Sequence, residues 1–229
     1  MKQSMLRPVC AAALGPAHKL TLARKPSMNR PEDDRHKATM AKRKAVQDAE
    51  VAAKPILEKG LLIVHTGPGK GKSTAAFGLV LRALGRGLRV GVVQFIKGAW
   101  STGERTAIER FGAQAEWRTM GEGFTWETQD RARDVAAASA AWAEAERMMA
   151  DPTIRLVVLD ELNIALRYEY LSLTEVVAAL VTRRPGLHVV VTGRNAKPEL
   201  IEAADCVTEF ALVKHHFAAG VRAQEAIEF

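Results

Sequence analysis

The chain predicts an α/β fold: a three-layer sandwich of about six mostly parallel strands with helices on both faces. Three observations carry that prediction. Short apolar runs alternate with helical segments, a glycine-rich turn follows the first run, and a later run ends in two acids. Runs such as Leu61–His65, Val90–Phe95 and Arg155–Leu159 place apolar side chains on both faces, as strands of a helix-covered parallel sheet must.

With 229 residues, the chain accommodates one substantial domain and little more. Residues 1 to 35 carry Pro8, Pro16, Pro26 and Pro31 without periodicity and read as a disordered basic leader. Residues 36 to 55 turn to Ala, Lys, Arg, Gln and Glu, the composition of a polar helix, which Pro55 ends. Such a helix has little to bury by itself and is expected to pack on the domain or on a partner subunit. Residues 56 to 229 form the domain proper. Within it, Lys72–Leu84 is expected to be a helix stopped by Gly85 and Gly87, and Glu104–Phe111 a second one. Ala115–Arg118 reads as a brief strand. Thr128–Ala150 is the longest helix, with Val135, Ala138, Trp142, Ala145 and Met149 on one stripe. Leu173–Val181 is a further helix, and His188–Thr192 and Cys206–Glu209 complete the strands.

Charge excludes one class of function. The chain holds 33 Lys and Arg against 26 Asp and Glu, but eleven of the bases and only three of the acids lie in residues 1 to 44. The body is therefore nearly neutral, and a nucleic-acid groove is not expected in it. No apolar run reaches eighteen residues, which argues against a membrane span. Cys10 and Cys206 stand far apart without a partner motif, so neither a disulfide framework nor a zinc site is expected. Together these point to a cytoplasmic protein.

The run Thr66-Gly67-Pro68-Gly69-Lys70-Gly71-Lys72-Ser73-Thr74 lies between a strand and a helix, the context of a phosphate-binding P-loop. Its glycines let backbone N–H groups turn toward phosphate oxygens, and the helix N-terminus adds further donors. Lys72 supplies a positive charge, and the Ser73 hydroxyl suits Mg²⁺. Thr66 stands where the commonest pattern has glycine, so this cradle is a variant one. Leu156–Glu161 is an apolar strand ending in Asp160 and Glu161. In a doubly wound sheet it delivers those acids beside the phosphate loop, where one of them holds Mg²⁺, with Glu161 placed ahead of Asp160. By themselves the two acids read better as charges at the N-terminus of the next helix; paired with the phosphate loop, the metal reading prevails.

Several stretches resemble the P-loop type of ATP:cob(I)alamin (corrinoid) adenosyltransferases. They are Thr66–Gly78, Val92–Gly98, Gly103-Glu104-Arg105, Gly123–Thr128, Val158–Leu162, Val191–Arg194, Val213-Lys214-His215 and Gly220–Gln224. The resemblance runs in order from about residue 40 to the end. It implies a P-loop NTPase-like fold and transfer of the 5′-deoxyadenosyl group of ATP to the Co(I) of a corrinoid, releasing triphosphate, in cobalamin salvage or biosynthesis.

The resemblance also implies ATP contacts at Thr66, Gly67, Gly69, Lys70, Gly71, Lys72, Ser73, Thr74 and Arg194, and a corrinoid surface formed by Phe124, Trp126 and Arg131. Phe124 and Trp126, which by themselves read as core residues, would exclude the lower axial ligand of cobalt. Arg131 reads almost as well as a surface arginine. Pro68 replaces an asparagine common in the family loop. Mg²⁺ is the implied cofactor, a reduced flavoprotein such as flavodoxin the implied electron donor, and a homodimer the implied assembly. Two other readings of the loop remain: a P-loop ATPase or kinase cleaving at phosphorus, and a corrinoid carrier without catalysis.

Overall fold

The computed structural model describes residues 30–55, 59–96, 102–120 and 130–228. Two units are distinguished, Met1–Ile56 and Leu57–Phe229. In the first, helix α1 runs over Arg30–Ala52. It begins six residues ahead of the expected His36. Pro31 explains the difference: in a first turn, proline's fixed φ suits the helix and its missing N–H has no partner to lose. Glu32 and Asp33 in that turn add a favourable interaction with the helix dipole. Residues 32 to 55 are exposed, and Lys44 pairs with Asp48 one turn on at 2.6 Å. The part of the leader before residue 30 lies outside the described residues.

In the second unit, six strands form one sheet: β1 (Leu62–Thr66), β2 (Arg89–Gln94), β3 (Ala115–Thr119), β4 (Ile154–Asp160), β5 (His188–Thr192) and β6 (Cys206–Glu209). Their order is β3-β2-β4-β5-β1-β6, and every pairing is parallel. Helices α2 (Lys72–Leu84), α3 (Gly103–Glu109), α4 (Arg131–Ala150), α5 (Leu162–Arg167), α6 (Leu173–Val181) and α7 (Pro198–Ala203) connect them. The expected three layers are present. The short helices α5 and α7 were not expected; six residues give too little periodicity to read.

Alternation along the central strands feeds two cores. Leu62, Val64, Val157, Leu159, Val189 and Val191 face α4 to α7, burying Ala141, Ala145, Met148, Leu162, Leu180 and Leu200. Val90, Val92, Leu156, Val158 and Val190 face α2 and α3, burying Phe77, Val80, Leu84 and Ile108. At about 1.5–3 kcal/mol for each large side chain removed from water, these two faces dominate the stability of the domain. The predicted stripe on α4 holds for Ala138, Ala145 and Met149, which are buried, whereas Val135 and Trp142 are half-buried.

Register places the chemistry. Pairing of Gln94 with Asp160, and of Leu159 with Val191, sets Gln94, Asp160 and Thr192 side by side at the carboxyl ends of β2, β4 and β5. Thr119 continues the row on β3, opposite Gln94. The buried central strands thus end in a line of polar groups.

Candidate functional site

The loop after β1 turns on two glycines. Gly71 has φ 105° at the N-cap of α2 and Gly67 has φ 97°, both in the left-handed region that disfavours side chains. Gly67 has a second constraint: a Cβ there would lie 2.6 Å from the Phe210 carbonyl oxygen. The chain beyond β6 lies against the loop. The Phe210 N–H donates to Thr66 O at 2.8 Å, and the Gly69 N–H donates to Phe210 O at 2.6 Å.

Lys72, only 7% exposed, folds back inside this loop and donates to the carbonyls of Gly67, at 2.9 Å, and Gly69. Burial lowers its pKa, with Arg194 and Lys70 acting in the same direction; Glu161 and Asp160 oppose them. Four charged groups therefore act on Lys72: Lys70, Arg194, Glu161 and Asp160. Arg194 is exposed on the turn after β5, and Glu161 and Asp160 stand at the end of β4.

Asp160 is fully buried. Its Oδ1 accepts from the Ser73 hydroxyl at 2.7 Å and from the Thr192 hydroxyl at 2.7 Å, and its Oδ2 accepts from the Gln94 amide at 3.0 Å. Gln94 is in turn oriented by Thr119 and by Trp117 Nε1, which donate to its Oε1 at 3.0 and 3.1 Å. Glu161 has φ 64°, and its backbone N–H donates to Thr192 Oγ1 at 3.0 Å. That conformation is uncommon for a residue other than glycine. Asn163, buried behind it, donates to Gly193 O at 3.0 Å, and its own Oδ1 lacks a hydrogen-bond partner among the described residues.

The structure therefore brings together Gly67, Gly69, Lys70, Gly71, Lys72, Ser73, Asp160, Glu161 and Arg194. Of the two acids, Asp160 takes the Ser73 hydroxyl, and both act on the charge of Lys72, Glu161 the more strongly. Thr66 serves the loop differently from the rest: its Oγ1 accepts the Ala196 N–H at 3.0 Å, tying the turn after β5 to β1. Thr74 is exposed on the first turn of α2. Arg131, the first residue of α4, donates to the carbonyls of Tyr168 and Glu169 at 3.3 and 3.5 Å and lies 5.8 Å from the Tyr170 ring centre. Phe124 and Trp126 lie outside the described residues. Sequence reasoning missed Gln94, Thr192, Asn163 and Phe210. Their roles follow from strand register and from where β6 leads the chain.

All candidate donors for a cation at the loop are oxygens: the Ser73 hydroxyl and the Asp160 and Glu161 carboxylates. That is the donor set of a hard divalent ion such as Mg²⁺ rather than of a thiophilic one.

Residues 58–229 match the family model described as ATP:corrinoid adenosyltransferase BtuR/CobO/CobP. The chain belongs to the ATP:corrinoid adenosyltransferase family. Residues 28–51, which include most of α1, match a second model, Cob(I)alamin adenosyltransferase N terminal. A corrinoid adenosyltransferase of Pseudomonas aeruginosa is 57% identical over 86% of this chain and 97% of its own length. Another from a Sinorhizobium species is 54% identical over 86% of this chain and 93% of its own. Corrinoid adenosyltransferase CobA of Salmonella typhimurium is 48% identical, over 86% and 99% respectively.

Proposed function

We propose that the chain is an enzyme that transfers the 5′-deoxyadenosyl group of ATP to the Co(I) centre of a corrinoid, in cobalamin salvage or biosynthesis. The observation that carries this is the join between the phosphate loop and β4, Ser73 to Asp160 at 2.7 Å, inside a segment that matches the adenosyltransferase family from residue 58 onward.

In the reaction the Co(I) of the substrate donates an electron pair to C5′. A cobalt–carbon bond forms, the C5′–O bond breaks, and triphosphate leaves with the bonding pair. Cobalt ends as formal Co(III). Co(I) is itself a strong nucleophile, so the protein needs no nucleophilic side chain. Its work is to align C5′ with cobalt and to stabilise the departing negative charge. Lys72, Lys70 and Arg194 are suited to the second task, together with the loop N–H groups and the Thr74 hydroxyl. Lys72 is held close by two carbonyls and is depressed in pKa by burial; a triphosphate beside it would hold the proton in place. Mg²⁺, when bound, neutralises charge on the triphosphate, and Ser73, Asp160 and Glu161 are the residues that would hold it. Thr192 and Gln94 keep the Asp160 carboxylate aimed at the loop.

Phe124 and Trp126 are assigned to the corrin side, where apolar rings offer cobalt no lower ligand and exclude water. Arg131 is assigned to the same side. We further assign a reduced flavoprotein such as flavodoxin as the electron source, a homodimer as the assembly and the cytoplasm as the compartment. Among the described residues no helix is long and apolar enough to cross a membrane.

The test is anaerobic incubation with chemically reduced cob(I)alamin, ATP and Mg²⁺, followed by absorbance. A light-sensitive alkylcobalamin spectrum is the expected result. Unchanged cobalamin with ADP and phosphate accumulating would replace this reading with a P-loop ATPase. Starting from cob(II)alamin and a flavoprotein, Trp126→Ala should lose more activity than when the assay starts from cob(I)alamin.

A further inference from the structure

Among the described residues beyond β6, Phe210 and Glu228 hydrogen-bond to the phosphate loop. Phe210 makes the first contact, through the two backbone hydrogen bonds to Thr66 and Gly69. Glu228 makes the second: its Oε2 accepts from Lys70 Nζ at 2.5 Å, 158 residues away in sequence. Its other oxygen, Oε1, lies 3.2 Å from His216 Nε2, on a 3₁₀ turn over His216–Ala219. The Glu228 side chain is 20% exposed, and the Lys70 hydrogen bond, foremost among several causes, lowers its pKa. His215 and His216 contribute in the same direction. The carboxylate is therefore ionised at neutral pH and sits on a cation of the loop.

His215, His216 and Glu228 approach one another as ligands of a metal ion do. Two features speak against that use. The Lys70 ammonium already occupies the carboxylate, and His215 Nδ1 accepts the Phe217 N–H at 3.1 Å, so that nitrogen's lone pair is taken. The cluster is better suited to holding an anion, and it holds the Glu228 carboxylate.

We propose that Glu228 sets the nucleotide affinity of the phosphate loop by competing with the triphosphate for Lys70. With no nucleotide bound, Glu228 neutralises Lys70. On binding, the ammonium must either exchange the carboxylate for a phosphate oxygen or keep it as a negative neighbour of the triphosphate. Both routes weaken binding, so the sign of the effect does not depend on which is taken. Glu228 is thus a positioning residue acting through Lys70, and the proposal rests on the reading of Lys70 as a nucleotide contact.

The test is calorimetric titration of MgATP, without corrinoid, into the full chain and its Glu228→Gln, Lys70→Ala and doubly substituted forms. Glu228→Gln should bind roughly two- to five-fold more tightly, the scale of a partly exposed ion pair. Lys70→Ala should bind more weakly, and adding Glu228→Gln to it should return little or nothing. A chain ending at Ile227 should reproduce the tightening, which separates the charge from any misfolding of one variant. Weaker or unchanged binding by Glu228→Gln, with Lys70→Ala impaired, would overturn the competition and leave Lys70's role intact. Unchanged binding by Lys70→Ala would overturn both. Tightening of equal size with and without Lys70 would overturn the route through that side chain.

Discussion

Two aspartates stand at opposite ends of the same sheet, and their partners differ in kind. Asp160, at the carboxyl end of β4, accepts from two hydroxyls and an amide. Asp205, just ahead of β6 at the amino end, accepts from the Lys59 ammonium, the Arg183 guanidinium and the Leu62 N–H. At Asp205 burial is the largest single influence and pushes the pKa up, yet hydrogen bonds from Lys59 and Leu62 with the charges of Lys59 and Arg183 outweigh it, and the net shift is downward. Cations compensate that carboxylate permanently, so it fastens the start of β6 to β1. Around Asp160 the neutral Ser73 hydroxyl is the partner that would turn to an arriving cation, while Thr192 and Gln94 hold the carboxylate. One acid is bound by cations and the other by neutral groups, and in the proposed reaction it is the second that serves the chemistry.

The largest effect should come from the group that shares the Asp160 end. Lys72→Met keeps the aliphatic stem and removes the charge. Adenosyl transfer should fall by about 10³-fold, on the scale of losing a main electrostatic stabiliser of a leaving group. Stability to urea should be unchanged or higher, because a buried lysine with a lowered pKa is a cost to the empty protein at neutral pH. The same depressed pKa predicts that MgATP affinity weakens as pH rises, with the break below the ordinary lysine value of 10.5.

Asp160→Asn should lower kcat/KM by about 10²-fold with a small change in melting temperature. Asp205→Asn should do the reverse, leaving kcat unchanged and costing about 1–3 kcal/mol in urea unfolding. The pH dependence sharpens the contrast. A carboxylate with a lowered native pKa stabilises fully above its unfolded value, about pH 4, and loses that contribution as pH falls through the native value. The deficit of Asp205→Asn should therefore shrink in acid. If Asp160→Asn proves the more destabilising and the more active of the pair, the distinction between the two ends fails. The smallest effect belongs to Arg194→Ala, whose exposed side chain should change KM for ATP by a few-fold and leave stability alone.

Much of this fold is legible in the sequence because its signals are local. Helix α2 is legible with its observed bounds, since Gly71 opens it and Gly85 closes it, and β5 and α6 likewise follow from apolar runs with clear punctuation. Pro31 misled because a proline reads as a breaker until its position in the turn is known. In the site, the loop and the two acids announce themselves as motifs. Gln94, Thr192 and Trp117 do not, for their use depends on register across four strands. Phe210 and Glu228 are further removed still, since only the path of the chain beyond β6 brings them to the loop.

The proposed reaction breaks the bond at C5′ and not at phosphorus. Phosphorus NMR of the completed anaerobic reaction with cob(I)alamin, ATP and Mg²⁺ tests it directly. Intact inorganic triphosphate, one for each cobalamin alkylated, is the predicted result. ADP with orthophosphate, or AMP with pyrophosphate, as the primary product would contradict it.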